Sequence, residues 1–380
     1  MPAPAARARS SSTATGGSSD VPRIAPGTPE AELPTPCLIL DLDALEANLD
    51  RMADAARAAG MRLRPHGKMH RSVDLGRAQM ARGAVGLCAQ TVGEAEVFVA
   101  GGIGDVLVTN EVRDPAKLAR LATLAAGGAR VGLCLDDPAA VAPTGAAARE
   151  AGATLDAWIE LMCGGRCGVA DPAAVAPLAA AIAAEPGLRF AGIHAYEGSA
   201  QHLTGDAERG ARIATAGERV RAALDALRAA GIDCPQVTGA GTGTWQHEAA
   251  SGLWTELQCG SYAVMDADYG RIEDPQGQRL DQGWRNALFV LAQVISTPVP
   301  GRAVCDAGLK SMSGESGLPL VWGQEGVTAT GLSDEHTVLD DPAGALAPGD
   351  RLRLIPGHCD PTVNLHDAFV CVRNGVVEAV

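Results

Sequence analysis

The sequence predicts a TIM (β/α)8 barrel followed by a second, mainly β domain, and three observations carry that reading. Eight strand-like apolar runs alternate with Ala-rich helical segments between Arg62 and Tyr262, the rhythm of βα units building a closed parallel sheet. Beyond about Asn286 the texture changes to short strand-like runs separated by Gly, Pro and Asp turns. No G-x-G-x-x-G follows the first strand, which weighs against the doubly wound open sheet that could share this alternation.

Taken in order, residues 1–30 are rich in Ala, Ser, Gly and Pro without apolar periodicity and read as a flexible tail. Their early arginines faintly suggest a transit peptide, but no apolar stretch for secretion is present. TPCLILDL is strand-like, and a strand over 34–42 is expected to join the β-domain although it precedes the barrel. DALEANLDRMADAARAAG then repeats apolar residues at helical spacing up to a closing Gly. The barrel strands are expected at RLRPH, VGLCAQ, DVLVTN, RVGLCLD, DAWIELM, LRFAGIHA, QVTGAG and TELQCGSY. Helical segments such as TVGEAEVFVAGG, DPAKLARLATLAAG and GERVRAALDALRAAG separate them. The barrel is thus assigned to 31–275 and the β-domain to 276–380. In the latter, ALFVLAQVIST, RAVCDAGLKS, LPLVWG, VTATGL and DRLRLIPGH are strand-like, and VRNGVV carries an Asn-Gly hairpin signal.

The bulk properties exclude several functions. A formal charge of −14 and a pI near 5.0 argue against nucleic-acid or anionic-membrane partners. No apolar run is long enough to span a bilayer. The 10 cysteines include no C-x-x-C pair, so a cysteine zinc site is unsupported, and reduced thiols in a cytoplasmic protein are expected.

Lysine occurs only at 68, 117 and 310, so chemistry that needs an amine has three candidates. Lys117 lies on an amphipathic helix as a surface residue would, and Lys310 lies in the β-domain. Lys68, in RLRPHGKMHRS, follows the first barrel strand, where barrel enzymes place catalytic groups. An amine that attacks an aldehyde must first lose its proton, and burial at a barrel mouth favours that. Phosphate needs backbone N–H groups in Gly-rich turns. Gly241, Thr242 and Gly243 after the seventh strand, with Gly260, Ser261 and Tyr262 after the eighth, supply two such turns where barrels often bind phosphate.

His358 and Asp360 lie two apart in LIPGHCDPTVNLHD. On an extended segment they would point to one side while Cys359 faces away, and an N/O pair suits Mn2+ or Mg2+ better than a thiolate zinc site. The local sequence equally admits a polar turn in which Asp360 caps a backbone N–H. Arg166 after the fifth strand and Tyr196 at the end of the sixth could face a ligand or be ordinary loop residues.

In this order, RPHGKMH, GGRCGV, GAGTG, GSYAVMDADYG, SDEH and PGHCDPTVNLHD resemble the motifs of one family, the D-threonine aldolase and D-serine dehydratase-like branch of the alanine-racemase-fold pyridoxal phosphate (PLP) enzymes, from about Thr35 to the C-terminus. The resemblance is nearest to the D-3-hydroxyaspartate aldolases. It implies an alanine racemase-like barrel plus β-domain, assembled as a homodimer with the site near the domain interface. Lys68 matches the PLP lysine; Gly241, Thr242, Gly243, Ser261 and Tyr262 match the phosphate region, and Arg166 and Tyr196 match residues near the ring. His358 and Asp360 match the metal pair, for which Mn2+ or Mg2+ is favoured and Zn2+ remains possible. Dehydratases of this branch resemble His-x-Cys, so His-x-Asp favours an aldolase that cleaves D-β-hydroxy-α-amino acids. A dehydratase and a metal-independent racemase stand as alternatives. His66 is a candidate base, metal-bound water another, and Arg71 a candidate for binding a substrate's side-chain carboxylate.

Overall fold

The computed structural model describes residues 24–380, so the first part of the expected tail lies outside the described residues. Strand β1 (Cys37–Asp41) precedes eight barrel strands: β2 (Arg62–Leu63), β3 (Leu87–Ala89), β4 (Asp105–Glu111), β5 (Arg130–Leu135), β6 (Leu155–Glu160), β7 (Leu188–Ala195), β8 (Val237–Gly239) and β9 (Glu256–Leu257). Their order is β2-β9-β8-β7-β6-β5-β4-β3, parallel throughout. Bonds from Val85 N to Leu63 O (2.9 Å) and Gly67 N to Cys88 O (2.8 Å) close the ring between β2 and β3. The eight strand-like runs are therefore the eight barrel strands.

Three outer turns begin with Asp-Pro for a common reason. Asp114, Asp137 and Asp171 each accept the N–H two residues on, at 2.8, 2.9 and 3.0 Å. The proline that follows sits at the first helical position, where no N–H is needed. The apolar faces of these segments pack on the barrel, burying Leu118, Leu121, Val141 and Leu178. Each such side chain contributes roughly 1.5–3 kcal/mol of transfer free energy.

The second sheet joins β1 to β10 (Leu288–Val299), β11 (Arg302–Cys305), β12 (Leu320–Val321), β13 (Thr328–Leu332), β14 (Thr337–Asp340), β15 (Arg351–Ile355), β16 (Val370–Arg373) and β17 (Val376–Ala379). Its main path runs β13-β14-β11-β10-β1-β16-β17. Strand β1 does enter this sheet, antiparallel to β10 and parallel to β16. Asn374 and Gly375 both adopt positive φ (53° and 74°) between β16 and β17, as an Asn-Gly hairpin turn requires. Residues 24–30, which composition assigns to the tail, are tied to this sheet. Gly27 N donates to Val377 O at 2.8 Å and Glu30 pairs with Arg353 at 2.5 Å. Backbone pairing and a half-buried ion pair override the polar composition there. Among the described residues no helix is long and apolar enough to cross a membrane.

A polar column fills the barrel's lower interior. Buried Arg64 donates to Glu256 (2.8 Å) and Asp105 (2.6 Å). Thr238 Oγ1 donates to the same Glu256, and Gln258 Nε2 donates to Thr238 at 2.9 Å. Gln258 Oε1 then lies 3.0 Å from His194 Nε2. The column thus rises from the N-terminal ends of the strands to the floor of a cleft at their C-terminal ends.

Candidate active site

That cleft, open to solvent, lies where the barrel mouth meets the loop after β15. Ten of the residues singled out from the sequence line it: His66, Lys68, Arg166, Tyr196, Gly241, Thr242, Gly260, Ser261, His358 and Asp360. Gly243 and Tyr262 do not. The Gly243 N–H already donates to Gln201 Oε1 at 3.1 Å. The Tyr262 side chain is buried in the core, edge-on to Trp284 and bonded to Gln79. Arg71 also faces elsewhere, lining a separate groove with Glu94 and Asn364. Lys68 is less buried than its place at a barrel mouth suggests, its side chain being 40% exposed.

The decisive meeting is between domains. Lys68 Nζ, from the loop after β2, lies 3.9 Å from Asp360 Oδ2, and Asp360 Oδ1 lies 3.8 Å from His358 Nε2. The last two residues do not share an extended segment. His358 is extended (φ −141°, ψ 129°) and caps the short helix Cys359–Val363, so Asp360 stands in its first turn. Cys359 is buried behind them. The strand-to-helix turn achieves the convergence that an extended chain would have achieved by alternation.

The residues fit the two groups that the motifs imply. On the phosphate side, Thr242 Oγ1 accepts the Tyr262 N–H at 3.0 Å and joins the two Gly-rich turns. Among the described residues no protein acceptor faces the N–H groups of Thr242, Gly260 and Ser261, so three donors remain for an anion. A Cβ on Gly241 would collide with the Gln201 side chain, and one on Gly260 would lie 3.1 Å from His66 O. On the other side, a His nitrogen and an Asp oxygen 3.8 Å apart can share one divalent cation at ligand distances of about 2.0–2.2 Å. His358 Nδ1 faces Glu315 Oε1 at 3.1 Å, which leaves Nε2 directed at Asp360.

Two histidines absent from the sequence reading complete the cleft. His194 lies on the floor, 2.5 Å from Glu160 Oε2. Burial alone would lower its pKa, but the Glu160 carboxylate outweighs that and raises it. Arg166 Nη2 adds a bond to Glu160 at 3.3 Å. His202 stands by His358, the two ring centroids 6.4 Å apart. Its Nδ1 meets Asp268 Oδ2 at 2.5 Å, a bond that raises its pKa. His66 differs from both: it is buried, with Nε2 2.9 Å from Thr109 and Nδ1 accepting the Lys68 N–H at 3.3 Å. Desolvation, then Lys68 and His194, push its pKa well down. Among the described residues Cys134, Glu160 and His194 also cluster as potential metal ligands; the His194–Glu160 ion pair already accounts for that cluster.

Comparison with known proteins agrees with this architecture. The family model "Alanine racemase, N-terminal domain" matches residues 40–268, and "Putative serine dehydratase domain" matches 287–372. A 3-hydroxy-D-aspartate aldolase of Paracoccus denitrificans (strain Pd 1222) is 54% identical over 364 residues, covering 95% of this chain and 94% of the relative. A D-threonine aldolase of Arthrobacter sp. is 46% identical over 363 residues, 94% of each chain. The crystal structure of D-threonine aldolase from Filomicrobium marinum superposes with a TM-score of 0.89 at 43% identity, covering 93% of this chain and 96% of that one. With a model matched over more than half its length and such relatives along nearly all of it, the chain belongs to the alanine racemase-fold family, in the branch that holds the 3-hydroxy-D-aspartate and D-threonine aldolases.

Proposed function

We propose that this protein cleaves the Cα–Cβ bond of D-configured β-hydroxy-α-amino acids, turning 3-hydroxy-D-aspartate into glycine and glyoxylate and D-threonine into glycine and acetaldehyde. The observation that carries the reading is the approach of Lys68 Nζ to Asp360 Oδ2 at 3.9 Å, which sets a barrel amine against a metal pair from the other domain. When bound, PLP supplies the electron sink for the carbon–carbon cleavage, and a divalent ion acidifies the β-hydroxyl.

Lys68 is assigned to hold the PLP aldehyde, and the N–H groups of Thr242, Gly260 and Ser261 the phosphate, with Gly241 keeping the turn open. Arg166 and Tyr196 are assigned to the ring, with the Glu160–His194 pair behind Arg166. His358 and Asp360 are assigned to the metal, with Mn2+ or Mg2+ favoured over Zn2+ by the N/O donor set. His202 Nε2 is assigned to take the β-hydroxyl proton while Nδ1 stays on Asp268. His66, buried with both nitrogens engaged, serves better as a wall beside Lys68 than as the base.

We further assign 31–275 and 276–380 as the two domains, with a homodimer as the working assembly. The exposed Leu309, Leu318 and Leu365 beside Pro361 support a partner close to the metal turn, and sedimentation equilibrium tests it. The cytoplasmic assignment draws on all ten cysteines being free thiols.

The test is a product assay with D-3-hydroxyaspartate, PLP and Mn2+. Glyoxylate with glycine is expected; ammonia with oxaloacetate, and no glyoxylate, would make the chain a dehydratase.

A further inference from the structure

We propose that Asp266 is a positioning residue for the metal pair, its carboxylate holding the backbone N–H of Cys359 and so fixing the turn that carries His358 and Asp360. The inference rests on the reading of those two residues as metal ligands.

Asp266 is fully buried, and its two oxygens go to different parts of the chain. Oδ1 accepts the Tyr269 N–H at 2.8 Å and caps the short helix Ala267–Gly270. Oδ2 accepts the Cys359 N–H at 2.8 Å, across the sequence in the β-domain. Cys359 stands between the two proposed ligands. Flanking bonds from Ala267 N to Pro356 O (3.0 Å) and Asp268 N to Gly357 O (3.2 Å) fasten the same turn.

The barrel segment is itself constrained. Met265 adopts φ 59°, a conformation that non-glycine residues seldom take and that persists where the surroundings over-determine it. Its N–H donates to Ser261 O at 2.8 Å, so the chain turns directly from the phosphate-side loop into Asp266. Two residues later Asp268 holds His202. One stretch of eight residues, 261–268, thereby sets the spacing of phosphate cradle, metal turn and histidine.

A helix cap alone does not account for this arrangement. Asparagine caps a helix about as well as aspartate, yet it has a single oxygen. In Asp266→Asn the cap can keep that oxygen, and the amide NH2 then faces the Cys359 N–H, donor against donor. The substitution separates the brace from the cap. Groups that orient metal ligands from behind are worth about 10- to 100-fold in metal affinity.

The experiment is a Mn2+ titration of the PLP-loaded protein, wild type against Asp266→Asn, with PLP affinity followed by absorbance on the same samples. Mn2+ binding is expected to weaken about 10- to 100-fold while PLP affinity holds. Cys359→Pro removes the donor from the other side, and Cys359→Ala, which keeps the N–H, controls for the buried thiol that donates to Asp360 Oδ1 at 3.4 Å. Proline is tolerated at the first helical position, and His358 already has the extended backbone required before it. Cys359→Pro should give the same selective loss, absent from Cys359→Ala. Unchanged Mn2+ affinity in both Asp266→Asn and Cys359→Pro, or a parallel loss of PLP affinity, overturns the proposal, as does failure of both variants to fold. Wild-type protein that takes up no Mn2+ overturns the ligand assignment and this inference together, whereas wild-type binding with unaltered variants overturns the inference alone.

Discussion

The two sides of the cleft keep their shape by different physics. On the phosphate side the supports are backbone, buried neutral groups and one cation, Arg209, which donates to Gly243 O at 2.9 Å. Gln201 accepts the Gly243 N–H, donates to Thr244 Oγ1 at 2.8 Å, and Thr244 donates in turn to Glu248 at 2.8 Å. Glu248 itself is held protonated, its pKa pushed up to about 8 by burial. On the metal side the supports are carboxylates: Asp266 on Cys359, Asp268 on His202 and Glu315 on His358. A cradle free of ionised carboxylates suits an anionic cofactor, and it responds weakly to metal ions. A carboxylate frame around a proposed cation site should respond to metal, proton and salt. The two sides should therefore come apart under mutation.

The largest effect is expected where they meet. Lys68→Ala should reduce turnover to background and remove the lysine-linked absorbance of PLP, because neither Lys117 nor Lys310 lines the cleft. Substantial residual turnover would show that another group supplies the amine. Next, His358→Ala and Asp360→Ala should each weaken Mn2+ binding and activity while leaving PLP absorbance intact, and a chelator should do the same to the wild type. Equal loss of both ligands in these variants would erase the distinction between the sides.

A smaller effect separates the proton functions. His202 must be neutral to accept a proton, and its pKa is raised by Asp268. The acid limb of the kcat/KM profile should accordingly lie above the ordinary histidine value, activity rising with pH through it. Asp268→Asn withdraws the negative charge, so the limb should move down in pH. A limb that stays put assigns it to another group.

These regions were not equally legible in the sequence. The eight barrel strands follow from apolar runs and spacing, local signals that survive even where β2 and β9 shrink to two residues. Strand β14, Thr337–Asp340, gives no sequence signal, because four residues after a polar turn carry no period. Lys68 stood out because lysine is rare here, and His358 and Asp360 through the motif, although their convergence comes from a helix cap and not from an extended chain. His202 had no such signal: its partner Asp268 lies 66 residues away, and only the fold brings them together. Gly243 and Tyr262 were drawn in by their loops, and local sequence does not show that one N–H is already taken or that one ring turns into the core.

The subtlest prediction concerns the phosphate side. Glu248 ordinarily ionises near 4.5, and in the fold near 8. Because the folded value is raised, the native state keeps a proton that the unfolded chain loses above about pH 4.5. Stability is then undiminished below that pH, falls as pH climbs toward 8, and stays at its lower level above. At pH 7 the difference is roughly 3 kcal/mol. Glu248→Gln, which mimics the protonated form and keeps an oxygen for the Thr244 hydroxyl, should raise Tm at pH 8 and change it little at pH 4. Glu197, which adds to the upward shift, remains in place, so the contrast isolates one carboxyl. Metal affinity should not move, since Glu248 supports only the phosphate side. A Tm gain of equal size at both pH values would mean that packing, and not the retained proton, sets the stability of that loop.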